Sequence, residues 1–174
     1  MNLPDDSTGS QTAPAISKSL PGKDFLRYYP AQRLMAWQPQ GMLDDLMLDQ
    51  IARWLVDIEQ EYLPFKRFVD FSQLTGVVVR TRHVFEFARK RAKQFAGAEP
   101  VRTALFSDDW VSLAMARLYE SLMEETLIEA RAFFDLAKAA EWLAIPPNVL
   151  RLKDKPEPHI DATSQASSGT DLNI

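Results

Sequence analysis

Hydrophobic positions in the middle of the chain switch between two periods. Phe25–Tyr29 and Leu34–Gln38 are short aromatic and aliphatic runs around Pro30-Ala31-Gln32-Arg33, a pattern that predicts a β-hairpin. Gly41 precedes a stretch in which Leu48, Ile51, Ala52, Leu55 and Ile58 share one helical face, with Asp49, Arg53, Asp57 and Gln60 opposite. Asp44 or Asp45 is placed to cap this helix, and Pro64 ends it. Phe65–Phe71 reads as a strand, Ser72–Gly76 as a loop and Val77-Val78-Val79 as extended chain. The spacing predicts a second helix over Thr81–Ala96. Val84, Ala88, Ala92 and Phe95 point inward there, Phe85 lies beside them, and Gly97 stands at the left-handed end. Val101–Phe106 reads as a strand, and Ser107 or Asp108 as the cap of a third helix with Val111, Ala114, Met115, Leu118 and Leu122 inward. Glu129–Phe134 is the last strand. Asp135 caps a final helix with Leu136, Ala139, Ala140 and Leu143 inward.

The resulting order, β-β-α-β-α-β-α-β-α, predicts an α/β fold. Strands alternating with helices become parallel neighbours, and the opening hairpin adds an antiparallel strand. The sheet is expected to be mixed and five-stranded, covered by about four helices. Residues 1–23 are polar and proline-containing, with Leu3, Ile16 and Leu20 as their large aliphatics, and are expected to form a disordered tail. The domain is read as residues 24–145. Residues 146–174 open with Pro146-Pro147 and turn polar from Lys153. They read as a second, mostly disordered tail, with Val149, Leu150 and Leu152 able to dock on the domain.

Composition narrows the function classes. The 174 residues carry a formal charge of −4, which argues against a general nucleic-acid binder. There is no cysteine, so disulfides, thiolate nucleophiles and cysteine-ligated metals are excluded. No apolar run approaches the roughly 20 residues that span a bilayer, and residues 1–22 lack the pattern of a signal peptide. A cytoplasmic location is the expectation.

Three local phrases carry a family resemblance. They are Arg67-Phe68-Val69-Asp70-Phe71-Ser72, the run from Trp110 through Ala114-Met115-Ala116-Arg117-Leu118-Tyr119-Glu120, and Glu129 through Leu143. With the element order, they resemble the STAS-like, or SpoIIAA-like, superfamily, and its uncharacterised bacterial members in particular. The resemblance spans residues 24–145 and implies a small α/β interaction module that binds partner proteins. Some members are switched by phosphorylation of a serine in an Asp-Ser-Ser-Gly-like turn. The corresponding stretch here, Gly76-Val77-Val78-Val79-Arg80-Thr81-Arg82, has no Asp-Ser pair, so no phosphorylation site transfers. Thr81 reads as a helix N-cap. Other relatives bind lipids or small ligands, and no residue in the sequence marks such a pocket.

Candidate chemistry is sparse. Gly41, Gly76 and Gly97 are isolated, so neither a phosphate loop nor a dinucleotide fingerprint exists, and no cofactor is expected. His83 reads as a helix-end histidine, with Ser72 and Asp70 the nominal partners for a triad. One domain histidine with scattered carboxylates supplies no metal site. The pairs Asp44-Asp45, Asp108-Asp109 and Glu124-Glu125 read as helix-end or solvated acids, and no catalytic residue is assigned.

Charge is unevenly distributed. Residues 77–102 carry net +5, whereas 40–63 and 107–144 each carry −5. Arg89, Lys90 and Lys93 share the outer face of the second helix, which is either solvated surface or a docking face for an acidic partner. Leu113, Ala116 and Met123 lie off the expected inner stripe of the third helix and suggest a second apolar contact there. Trp54 and Trp110 sit at stripe edges, as core-rim packing or as binding anchors. The sequence therefore reads as a non-enzymatic interaction or regulatory module. Its candidate partner-binding residues are Arg89, Lys90, Lys93, Leu113 and Met123, and its partner is a foreign protein or a second copy. The alternative is a small-ligand or lipid carrier, or an enzyme, with a pocket between helices and sheet.

Overall fold

The computed structural model describes residues 18–19, 26–62, 66–97 and 99–152. In chain order the elements are β1 (Lys18–Ser19), β2 (Leu26–Tyr29), β3 (Leu34–Trp37), β4 (Gly41–Leu43), α1 (Asp45–Tyr62), β5 (Lys66–Asp70), β6 (Leu74–Val77), α2 (Thr81–Gln94), β7 (Val101–Phe106), α3 (Trp110–Met123), β8 (Ile128–Phe133) and α4 (Leu136–Leu143). The expected hairpin forms. Pro30–Gln32 make a single 3-10 turn, Arg33 takes a left-handed conformation, and Leu26 pairs with Trp37.

The main sheet runs β1-β2-β3-β5-β7-β8. Its five long strands are the mixed sheet the sequence predicts, with β2–β3 antiparallel and β3–β5–β7–β8 parallel. Two features go beyond that reading. Lys18–Ser19, inside the expected tail, pair antiparallel with Arg27–Tyr28 as a sixth, edge strand. The strand β6 begins inside the stretch read as a Ser72–Gly76 loop and runs into the Val77 read as extended, and it pairs parallel with β4 in a separate two-stranded ribbon. The rest of residues 1–25 and residues 153–174 lie outside the described residues.

Sequential parallel strands added in one direction by right-handed crossovers place their helices on one face. Accordingly, Ile51, Leu55 and Ile58 of α1 and Leu113 and Ala116 of α3 bury against Met35, Trp37, Val69 and Leu105. The helix α2 packs against α1 and α3. The opposite face carries Leu34, Ala36, Phe68 and Ala104, and α4 closes it with Ala139, Ala140 and Leu143. Alanine meets alanine there, so helix and sheet approach closely. The turn at Pro147–Leu150 completes that layer, and Val149, Leu150 and Leu152 are buried in it. The packed domain thus extends to Leu152, past the residue-145 boundary read from the sequence.

Four expectations about the helices are corrected. Asp109, not Ser107 or Asp108, caps α3: its Oδ2 accepts from the Ser112 amide at 2.8 Å, while Ser107 Oγ accepts from the Asp109 amide. The cap position of α2 is Arg80, without a side-chain cap, and Thr81 is the first helical residue. Phe85 is 48% exposed rather than packed beside the inner stripe. The buried arc of α3 is also different. Ser112, Leu113, Ala116 and Met123 are its buried residues, while Val111 is 61% exposed and Ala114 is exposed. Apolar residues occupy two arcs of this helix, so period alone does not choose between them; contacts with β8, β6 and α2 do.

Candidate functional site

Three charged residues sit where their elements are otherwise apolar. Arg67 shares a β5 face with Val69, since side chains alternate along a strand. Glu59 continues the α1 stripe of Ile51 and Leu55, and Arg91 continues the α2 stripe of Val84 and Ala88. Folding brings them together. Arg67 and Glu59 are each 5% exposed and Arg91 is 2% exposed. The Oε1 of Glu59 lies 2.6 Å from Arg67 Nη2 and 2.6 Å from Arg91 Nη2. The Arg91 contact is a hydrogen bond. The Arg67 contact is an ion pair by distance whose angles fall outside hydrogen-bond geometry. Arg91 Nη1 also donates to Gln94 Oε1 at 2.8 Å. Both guanidinium groups lie over the Phe95 ring, at 4.5 and 5.1 Å from its centroid, which partly replaces lost hydration.

This cluster borders a cavity of about 80 Å³ between the sheet and α1–α3. Apolar walls come from Trp37, Leu55, Val69, Leu105, Val84 and Phe87, and polar groups from Arg67, Arg91, Thr103 and Tyr119. The strand register organises it. Met35, Arg67 and Thr103 lie on one rung, and Trp37, Val69 and Leu105 lie on a rung nearer the carboxyl ends of the strands. The polar groups therefore gather toward the amino ends of the strands. Arg67 Nε and Thr103 Oγ1 are buried without a hydrogen-bond partner among the described residues, as is Glu59 Oε2.

The electrostatics leave one surplus charge. Burial pulls the Arg67 pKa down to about 10; Glu59 opposes the shift and Arg91 reinforces it. Arg67 is therefore cationic at neutral pH, and two guanidinium groups face one carboxylate. Burial pushes the Tyr119 phenol up, against the charges of Arg91 and Arg67.

The residues singled out from sequence fall elsewhere. Leu113 and Met123 are 3% and 2% exposed, so neither can offer an apolar docking face. Leu113 packs in the α1–α3 core, and Met123 against Ala88 and Ile128. Arg89, Lys90 and Lys93 are exposed on α2, as their spacing predicts. His83 Nε2 lies 3.1 Å from Asp49 Oδ1. Asp70 instead takes Gln38 Nε2 at 2.8 Å and the Ser72 amide at 2.9 Å, so the nominal triad partners are engaged apart from His83. Asp44 caps α1 through the Met47 amide, and Asp45 pairs with Arg80. No group of three or more potential metal ligands occurs among the described residues, and no described helix is long and apolar enough to cross a membrane. Trp54 packs against the core, whereas Trp110 is 73% exposed and stacks on the exposed Phe134 at 5.1 Å.

Sequence reasoning missed Glu59, Arg67, Arg91, Thr103 and Tyr119 as a group. The available clue was a charged residue on the apolar stripe of each of three elements.

No protein-family model and no curated protein matches the chain. Among solved structures it is similar to the crystal structure of an uncharacterised DUF3478-family protein with a SpoIIAA-like fold from Shewanella loihica PV-4. Identity is 17%, the match covers 73% of this chain and 90% of that one, and the TM-score is 0.42.

Proposed function

We propose that this domain is a small-ligand-binding module, without catalytic chemistry of its own, whose site is the cavity between the sheet and α1–α3. One observation carries the reading: Arg67, a buried cation with an unpartnered Nε, lines a chamber whose other walls are mostly apolar. Binding sites combine an apolar chamber with a few convergent polar groups in this way. A small-fragment screen by amide chemical-shift perturbation tests it. Hits should shift resonances at Val69, Thr103, Leu105 and Val84. Fragments that perturb only surface positions would overturn the reading.

A second reading, a protein-interaction or regulatory module, is favoured by the exposed Trp110–Phe134 stack. Aromatic residues are enriched at interface anchors. The stack is followed or preceded in sequence by the exposed acids Asp108, Asp109 and Asp135, which suit a basic partner surface. Arg89, Lys90 and Lys93 remain the proposed contact for an acidic one. Capture of a defined partner that is lost with Trp110→Ala, or with the three cations reversed to Glu, would support this reading.

A further inference from the structure

We infer that the cavity receives a small organic monoanion, a short-chain carboxylate, with its charged group against Arg67 and Thr103 and its apolar part toward Val69 and Leu105. The inference rests on the cavity being a binding site and goes on to name its ligand class.

Charge sets the first constraint. Arg67 and Arg91 share Glu59, so the buried cluster carries one positive charge more than its partners among the described residues neutralise. An uncompensated buried charge is costly, and a single anion removes the surplus. A dianion would reverse it. A neutral ligand would leave it in place.

Donor geometry sets the second. Arg67 and Thr103 are direct partners in the β5–β7 register, and the buried donors Nε and Oγ1 both lack protein acceptors among the described residues. A carboxylate has two oxygens and can accept from both. Charge-assisted bonds of this kind are roughly twice as strong as neutral ones. Glu59 Oε2 is also buried without a donor among the described residues, but Glu59 is held by Arg91. Two carboxylates with two guanidinium groups make a balanced set.

Volume sets the third. An engineered apolar cavity of about 150 Å³ takes benzene. About 80 Å³ is roughly half of that and suits a ligand of only about four heavy atoms, on the scale of acetate. Long acyl chains and nucleotides are too large for the cavity as it stands. The mostly apolar lining disfavours a bare inorganic ion.

The full-length ¹⁵N-labelled protein is titrated with acetate and propionate, with acetamide and ethanol as neutral counterparts, and with chloride as a bare anion. The carboxylates should shift the Arg67, Val69, Thr103 and Leu105 amides, with at least tenfold weaker binding of the neutral compounds and of chloride. Arg67→Met should weaken carboxylate binding at least tenfold, and Arg89→Met should leave it unchanged. Val84→Phe, which narrows the cavity from α2 without touching the charges, should also weaken it. Neutral compounds binding in the cavity as tightly as the acids would overturn the carboxylate assignment and leave the cavity reading intact. Chloride matching acetate would overturn it too. No perturbation of the lining by any compound would overturn both. Unchanged affinity in a folded Val84→Phe protein would place the carboxylate outside the cavity and overturn the inference.

Discussion

Glu59 and Arg67 are 2.6 Å apart, and each side chain is 6% exposed, so the pair faces almost no water. Removing one partner of such a pair is not equivalent to removing the other, because Glu59 also serves Arg91.

Glu59→Gln leaves two buried guanidinium groups without a carboxylate. It should destabilise the domain by about 3–5 kcal/mol. Arg67→Met leaves Glu59 and Arg91 as a balanced pair and replaces a buried cation with an apolar chain of similar length. It should be neutral to within about 1 kcal/mol or stabilising. Urea unfolding of both variants measures the difference. Equal losses would contradict the surplus-charge account.

The orientation of α3 is tested by two truncations. Leu113→Ala should cost about 2–5 kcal/mol, because the side chain is enclosed between helix and sheet. Val111→Ala, two positions away and exposed, should stay within about 0.5 kcal/mol. Thermal or chemical denaturation distinguishes this face from the alternative apolar arc.

The Tyr119 phenol has its pKa raised by burial, with Arg91, Arg67 and Glu59 facing it. In the unfolded chain a tyrosine loses its proton near pH 10. Above that pH the folded state binds more protons than the unfolded state, so stability falls as pH rises toward the folded value. Below pH 10 both states hold the proton and the group is silent. Tyr119→Phe should flatten the decline above pH 10 in stability-against-pH measurements, and tyrosinate absorbance should show one phenol titrating late.

Edge protection gives a further prediction. The strand β8 lies at the margin of the sheet, and its Ala132 amide donates to Glu120 Oε2 at 3.1 Å. Unpaired strand edges template intermolecular pairing. Glu120→Ala should raise the aggregation rate, followed by light scattering at elevated protein concentration, by more than it lowers the denaturation midpoint.

Much of this architecture is legible from period. The spacing of Leu136, Ala139, Ala140 and Leu143 identifies the α4 face, because its apolar residues occupy one arc. The hairpin is legible because a proline turn separates two apolar runs. The α3 face is not, because Leu113 and Val111 are equally apolar and only neighbouring elements decide which is covered. The ribbon of β4 and β6 is three and four residues long, too short to establish an alternation. The charged cluster was visible one residue at a time. Its meaning depends on Glu59, Arg67 and Arg91 meeting, and separations of 8 and 32 positions along the chain carry no distance information.

The one-sided arrangement of the crossover helices also bears on synthesis. Chains leave the ribosome from the amino end and fold by domain. The face under α1–α3 has all its sequence available once β8 has emerged. Among the described residues, the cover of the opposite face, with Leu34 and Phe68, comes from α4 and the turn through Leu152, which follow β8. For that interval the nascent protein presents a half-finished surface, and the segment from α4 to Leu152 serves as its stopper.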